Sequence, residues 1–306
     1  MPALEDIRLR DPFVLPATEA EVYYLFGTTD PDCWGPTGIG FDAYRSRDLR
    51  HWDGPFPAFR PPARFWATHH FWAPEVHAHA GRYYMLASFK AEGRHRGTAV
   101  LVADEPLGPY HPHSDGPVTP PGWESLDGTL HWEDGRPWLV FCHEWTQLED
   151  GAIAVLSLAP DLRAASGKAL ELFRGSAAPW SGESAQPGRH VTDGPWLHRM
   201  PDGTLLLLWS TIGESGYTLG CARSASGSVH GPWRQDPTPL FRRDGGHGML
   251  FRTFEGQLAL ALHQPNQSPR ERPRFFFVGE QKDRLDVRGP LFPSDDSDTA
   301  QARRGP

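Results

Sequence analysis

Several features that mark common functional classes are missing from this chain. Its three cysteines, Cys33, Cys142 and Cys221, are widely spaced, which argues against a disulfide framework and a CxxC-type zinc site. It has no Lys/Arg block and a formal net charge of −8, so nucleic acid is not an expected partner. No apolar run approaches the roughly 18 residues of a membrane span, and residues 1–13 do not read as a signal peptide. We therefore expect a soluble, cytoplasmic protein without a membrane partner.

Runs with helical periodicity are also scarce, whereas turn-forming residues are abundant. The 306 residues include 32 glycines and 31 prolines, and these separate short apolar runs. In one example, the turn Pro201-Asp202-Gly203 leads into Leu205–Trp209, a run typical of a strand that is buried on both faces. The pattern predicts an all-β fold with many short strands.

A repeating unit is visible along the chain. Five segments, each with three or four predicted strands, start 52 to 66 residues apart at Asp11, Glu75, Asp127, Asp193 and His247. Such a period is typical of a propeller with four-stranded blades, whereas five hairpins of a large sandwich would not repeat so evenly. We predict a five-bladed β-propeller as a single domain over residues 1–287, followed by a flexible or surface-lying tail over residues 288–306.

The polar residues at the unit starts are candidates for chemistry. The first strand of each blade lies nearest the axis, so Asp11, Asp127 and Asp193 should converge at one mouth of the channel, joined by His247. Three carboxylates at one sugar-sized pocket are typical of an inverting glycosidase, in which an ionised carboxylate activates water and a protonated one protonates the leaving oxygen. The glycines on both sides of His247 allow close backbone approach and favour a place on the axis.

Five short motifs, in this order and spacing, resemble glycoside hydrolase family 43. They are Arg10-Asp11-Pro12, Trp72-Ala73-Pro74-Glu75, Leu126-Asp127-Gly128, Asp193-Gly194-Pro195 and Gly246-His247-Gly248. The resemblance covers about residues 7–280 and implies an inverting five-bladed enzyme acting on arabinose- and xylose-containing glycans. It implies Asp11 as general base, Asp127 as the residue that orients the acid and modulates its pKa, and the blade-four acid as general acid. It also implies that His247 could hold an axial calcium ion through waters, with no cofactor required for the chemistry.

Blade four departs from the family pattern. The family usually has Glu-Gly-Pro where this chain has Asp193-Gly194-Pro195, and aspartate reaches about 1.5 Å less far. Three interpretations stay open: Asp193 still acts as the acid in a tighter site, Glu144 in Cys142-His143-Glu144-Trp145 supplies the proton, or the protein binds sugar without cleaving it.

The remaining site candidates concern substrate binding. Trp34 and Trp72 are expected to form walls of the subsite that receives the terminal sugar. Three further residues are expected to contact the substrate: Glu75, His143 and Glu144. The Gly/Ser/Ala/Pro-rich segment 173–190 is expected to overhang the mouth.

These features predict release of terminal α-L-arabinofuranosyl or β-D-xylosyl units from plant-type oligosaccharides. The alternatives are an endo-acting arabinanase, a non-catalytic sugar-binding propeller and a related retaining fructan-cleaving enzyme. The last of these has a different blade-one motif, which Arg10-Asp11-Pro12 does not match. The sequence does not indicate the oligomeric state.

Overall fold

A computed structural model describes residues 1–292 as an almost entirely β-structured chain. Its twenty strands form five antiparallel four-stranded sheets in which strands follow chain order. Blade one comprises β1 (Arg10–Ala17), β2 (Val22–Thr28), β3 (Phe41–Ser46) and β4 (Asp53–Phe59). Blade two comprises β5 (His69–His79), β6 (Arg82–Lys90), β7 (Gly97–Ala103) and β8 (His111–Pro112). Blade three comprises β9 (Ser125–Glu133), β10 (Arg136–His143), β11 (Ala152–Ser157) and β12 (Leu170–Arg174).

The last two blades have the same plan. Blade four comprises β13 (Asp193–Arg199), β14 (Leu205–Gly213), β15 (Gly216–Ser224) and β16 (Trp233–Gln235). Blade five comprises β17 (Gly246–Arg252), β18 (Leu258–Gln264), β19 (Arg272–Glu280) and β20 (Leu285–Pro290). The first strand of each blade packs against that of the next blade, and β17 packs back against β1, which closes the ring. The predicted five-bladed β-propeller is confirmed.

Apolar layers between the blades hold the ring together. The second strand of each blade is buried on both faces, as at Leu205–Trp209, where every side chain is fully buried. Its alternate residues enter the layers on either side: Leu206 and Leu208 pack towards blade five, and Leu207 and Trp209 towards blade three. This explains the continuous apolar runs, because a sheet between two neighbours has no solvent face.

A β-bulge recurs near the start of every innermost strand. The residue at the bulge has a positive φ angle in all five blades: Asp11, Ala73, Asp127, Gly194 and His247, with φ between 47° and 56°. Bulges of this kind redirect side chains at the rims of β-structures. The equivalent residue in blade two is therefore Ala73, and Glu75, which marked this blade in the sequence pattern, lies two residues further along β5.

Few segments fall outside the blades. A short helix, α1 (Trp145–Leu148), follows β10, and two 3₁₀ turns span Leu4–Asp6 and Gly175–Ala177. Among residues 1–292, no helix is both long and apolar enough to cross a membrane. The predicted tail was placed from residue 288, whereas residues 288–290 complete β20; its part from residue 293 onwards lies outside the described residues.

Candidate active site

The bulges bring the sequence-predicted polar residues together at one end of the axis. Asp11, Asp127, Asp193 and His247 line a cavity of about 330 Å³ to which all five blades contribute. The other residues around it include Arg10, Thr28, Trp34, Trp72, Glu144, Trp145, Tyr217 and Asn266. The expected convergence of the three carboxylates is therefore observed.

Asp11 lies among groups that stabilise its ionised form. The Thr28 hydroxyl donates to Asp11 Oδ2 at 2.7 Å, and His247 Nδ1 lies 3.2 Å from Oδ1. Burial alone would raise the pKa of Asp11, but the charge and hydrogen bond of His247, with Arg10 beside it, hold this pKa well below its usual range. These neighbours favour the ionised form of Asp11, the form that a general base needs.

Asp193 has the opposite environment. Burial, followed by the like charge of Asp127, raises the pKa of Asp193 to about 7. The Tyr217 hydroxyl donates to Asp193 Oδ2 at 3.1 Å and limits that rise, because it stabilises the anion. A carboxyl group that keeps its proton near neutrality is suited to act as a general acid.

The pKa of Asp127 lies between those of Asp11 and Asp193. Burial raises its pKa to about 6; the charge of Asp11 adds to the rise, and His247, with Nδ1 3.7 Å from Asp127 Oδ2, opposes it. The backbone N–H of Gly194 donates to Asp127 Oδ2 at 3.0 Å. The peptide that follows Asp193 is thereby fixed to Asp127.

Two buried histidines beside Asp11 differ in charge. The carboxylates of Asp11 and Asp127 outweigh burial and raise the pKa of His247 to about 9, so His247 is an imidazolium. Burial and the nearby Arg10 lower the pKa of His263 to about 3. Neutral His263 accepts the Asp11 N–H at Nδ1 (3.1 Å) and donates from Nε2 to Asn266 (3.2 Å), so its 3.4 Å approach to Asp11 Oδ1 is not an ion pair.

The ring of His247, which is predicted to hold an axial calcium ion through waters, has its Nδ1 engaged by Asp11 Oδ1 at 3.2 Å. Within the described part of the chain, no group of three or more His, Cys, Asp or Glu side chains is arranged to hold a metal ion. A single histidine with waters would not need such a group. The calcium ion therefore stays a prediction, and no catalytic step is assigned to it.

Aromatic residues form one wall of the cavity. The rings of Trp34 and Trp72 meet edge to face at 4.8 Å, and Trp34 is 55% exposed at the rim. Trp72 Nε1 donates to the Cys33 carbonyl at 2.6 Å, which ties the blade-one loop to blade two. The Arg96 guanidinium lies 4.2 Å from the centroid of the Trp72 ring. Trp34 therefore lies where a sugar ring could stack, whereas Trp72 lines the cavity as a buried ring on which His70 already stacks at 4.5 Å.

Glu144 also lines the cavity, but as the partner of a cation. Its carboxylate forms a buried ion pair with Arg96 Nη1, and Arg96 Nη2 contacts His70 Nδ1 at 3.1 Å. Protonation of Glu144 would break this ion pair and leave a buried guanidinium unpaired. The arrangement favours Glu144 as a fixed acceptor for a sugar hydroxyl and not as the proton donor.

Two of the predicted substrate contacts lie elsewhere. Glu75 is buried, and its Oε2 lies 3.1 Å from His77 Nε2. His143 stacks on Trp123 at 4.0 Å and contacts Gln147 Oε1 at 2.7 Å. Among the described residues, neither belongs to the cavity lining, so both predicted positions need correction.

The segment 173–190 reaches the rim of the cavity, where the Arg189 guanidinium lies 5.9 Å from the centroid of the Trp145 ring. Trp180 packs on Trp209 at 4.8 Å and its Nε1 donates to the Asp236 carbonyl, while the Gly182 N–H donates to the Ile212 carbonyl. These contacts hold the segment against blade four. Within the described chain, the cavity lining contains none of its residues.

Sequence reasoning missed several residues of the site. The Arg10 guanidinium donates hydrogen bonds to Glu271 (2.9 Å) and Asn266 (2.8 Å) in blade five. Tyr217 of β15 donates a hydrogen bond to Asp193. Arg10 could have been found, because it directly precedes Asp11 in a motif. Tyr217 had no such signal, since its strand contains no motif.

Comparison with known proteins is consistent with this geometry. The family model for glycosyl hydrolases family 43 matches residues 4–281. The chain is 24% identical to the extracellular exo-α-(1→5)-L-arabinofuranosidase ArbA of Cellvibrio japonicus, over 85% of this chain and 79% of that protein. A solved endo-arabinase of Bacteroides thetaiotaomicron is 37% identical, with a TM-score of 0.83 over 96% of this chain and 97% of its own.

A further solved structure shows the fold alone. It is an exo-1,5-α-L-arabinanase from a bovine ruminal metagenomic library, 18% identical, with a TM-score of 0.67 over 92% of this chain and 97% of its own. The family match includes all five bulges and every strand except β20. The chain therefore belongs to family 43 of the glycosyl hydrolases.

Proposed function

We propose that this glycoside hydrolase releases terminal α-L-arabinofuranosyl units, or β-D-xylosyl units, from short oligosaccharides with inversion of the anomeric centre. One observation carries the proposal: a single cavity holds one carboxylate that is stabilised as the anion and another whose pKa is raised to about 7. An inverting hydrolysis needs this pair at neutral pH.

The roles follow from the surroundings of each carboxylate. Asp11 takes a proton from the attacking water, and its contacts with Thr28 and His247 keep it ionised and oriented. Asp193 gives its proton to the leaving oxygen, since burial and the neighbouring Asp127 keep it protonated. Asp127 raises the pKa of Asp193 and holds the peptide of Gly194.

Arabinose is the sugar that we consider first, because two of the similar proteins are named an arabinofuranosidase and an endo-arabinase. The exo-(1→5)-arabinofuranosidase supports an exo mode, and the endo-arabinase, at 37% identity, supports internal cleavage as a second candidate. The exposed Trp34 at the rim fits stacking of a second sugar unit in either mode. The cytoplasmic location stays a prediction.

A substrate panel tests the proposal. Aryl α-L-arabinofuranoside, β-D-xyloside and β-D-galactoside would be incubated with the protein and with Asp11→Asn, and the first-formed anomer would be identified by proton NMR. We expect turnover of the arabinofuranoside or xyloside with inversion. A retained anomer would point to a retaining enzyme, and calorimetric binding of oligosaccharides without release would indicate a sugar-binding protein.

Linear α-1,5-arabino-oligosaccharides separate the two modes of cleavage. Arabinose as the only early product supports exo action. Early release of arabinobiose and longer fragments from polymeric arabinan would support the endo mode instead.

A further inference from the structure

At four of the five junctions between blades, a hydrogen bond joins one blade to the next at the recurring bulge. The N–H of the bulge residue donates to a side chain on the second strand of the preceding blade: Ala73 to Thr28, Asp127 to Ser88, His247 to Ser210 and Asp11 to His263, at 2.8 to 3.1 Å. The register of the sheets places these acceptors at equivalent positions, because each pairs with the residue that precedes its own blade's bulge residue.

The junction between blades three and four breaks this rule. Cys142 pairs with Leu126 and so occupies the acceptor position of blade three. Burial raises the pKa of its thiol well above the usual value, so it is neutral, and neutral sulfur is a weak acceptor. The Gly194 N–H donates instead to Asp127 Oδ2, at 3.0 Å.

Blade one shows what a hydroxyl does at this position. The Thr28 hydroxyl accepts the Ala73 N–H and donates to Asp11 Oδ2, so it lies between the amide of the next blade and the carboxylate of its own. In blade three the sulfur of Cys142 replaces this hydroxyl, and the Gly194 N–H donates directly to the Asp127 carboxylate.

We propose that Cys142 is a positioning residue: because it does not accept the Gly194 N–H, it leaves that amide to hold the Asp127 carboxylate against blade four, next to Asp193. This inference rests on the proposed function of the site. The contact matters because Gly194 directly follows Asp193, so the hydrogen bond ties the Asp127 carboxylate to the backbone beside Asp193.

Other charged groups do not replace this hydrogen bond. His247 Nδ1 is 3.7 Å from Asp127 Oδ2 and lies closer to Asp11. Arg96 acts on Asp127 only through its charge and is paired with Glu144. Among the described residues, the Gly194 N–H is the donor within hydrogen-bond distance of this carboxylate.

The variant Cys142→Ser tests the proposal, because it supplies the hydroxyl found in the other blades. The Gly194 amide proton would be followed by NMR in protein labelled with ¹⁵N-glycine. We expect its resonance to move upfield, since a hydroxyl replaces a carboxylate as acceptor. On the best substrate we expect kcat to fall about three- to tenfold, as for partial loss of a charge-assisted hydrogen bond, with KM nearly unchanged.

Two controls separate positioning from packing. Cys142→Val keeps an apolar side chain without an acceptor, so it should retain the parental Gly194 resonance and rescue most of kcat. Cys221→Ser introduces a hydroxyl at another buried cysteine, outside the cavity lining, and should leave kcat unchanged. The melting temperature of Cys142→Ser should not fall below that of Cys142→Val.

Two results would overturn the proposal: an unmoved Gly194 resonance in Cys142→Ser, or equal losses of kcat in Cys142→Ser and Cys142→Val. If the parent cleaves no glycoside, the proposed function fails separately. The Gly194 resonance, compared with that of Asp127→Asn, then still decides which group accepts the amide.

Discussion

The carboxylates of blades one and four have the same side chain but opposite electrostatic surroundings. Asp11 is surrounded by donors and cations from two blades: Thr28 and Arg10 from its own blade, and His247 from blade five. Arg10 is in turn held by Asn266 and Glu271. Asp193 faces an anion from blade three and a neutral phenol from its own blade. The comparison shows that the neighbouring blades decide which aspartate is ionised and which is protonated.

The first prediction removes the ionised member of this pair. Asp11→Asn is nearly isosteric, but its amide cannot take a proton from water. We expect kcat on an aryl arabinofuranoside to fall about 10²- to 10⁴-fold, the usual contribution of a general base. Circular dichroism should show an intact fold, and turnover within tenfold of the parent would contradict the assignment.

The second prediction removes the protonated member and compares it with Glu144. A missing acid matters most when the leaving group is poor. The kcat of Asp193→Ala should therefore fall about 10²- to 10⁴-fold on natural oligosaccharides and far less on a dinitrophenyl glycoside.

Glu144→Gln is the matched control, since Glu144 lies in the same cavity but pairs with Arg96. For Glu144→Gln we expect a higher KM, and a loss of activity that is the same for good and poor leaving groups. A leaving-group dependence in Glu144→Gln, and none in Asp193→Ala, would transfer the acid role to Glu144.

The third and smallest effect concerns the phenol beside Asp193. Tyr217 donates to the carboxylate and so stabilises the anion. Tyr217→Phe removes this donor, which should raise the pKa of Asp193 above about 7. Because the acid then keeps its proton to higher pH, the alkaline limb of the kcat/KM profile should move upwards by about 0.4 to 1 pH unit.

A pH profile from pH 5 to 10 for both proteins checks this shift, and Tyr84→Phe, outside the cavity lining, is the control. A limb that stays in place or moves to lower pH would show that Tyr217 does not stabilise the Asp193 anion.

The sequence predicted the ring and the three carboxylates because both depend on local patterns. Alternating turns and apolar runs define the blades, and the acids lie in short motifs at the start of each unit. Glu75 was misplaced by two residues because the blade-two bulge falls on Ala73, which has no polar side chain to mark it.

The resemblance implied which aspartate is the base and which the acid, but the groups that set their protonation states could not be predicted. Tyr217 and Thr28 line the cavity, and Arg96 contacts the lining residues Glu144 and Trp72; no local motif marks any of these three positions. His143 and Glu144 are adjacent in sequence, yet only Glu144 faces the cavity, since the strand ends between them. Such contacts depend on register and ring closure, which a single sequence does not specify.

The way the ring closes has a mechanical consequence. Within residues 1–292, each sheet is built from consecutive strands, so no strand is shared between blades five and one. Side-chain contacts join these blades, including the Arg10–Glu271 ion pair, the bond from the Asp11 N–H to His263 and the contact of His247 with Asp11. The machinery of the base thus spans the junction between the two ends of the ring. Opening of this junction would separate Asp11 from His247 and His263 and should therefore abolish hydrolysis.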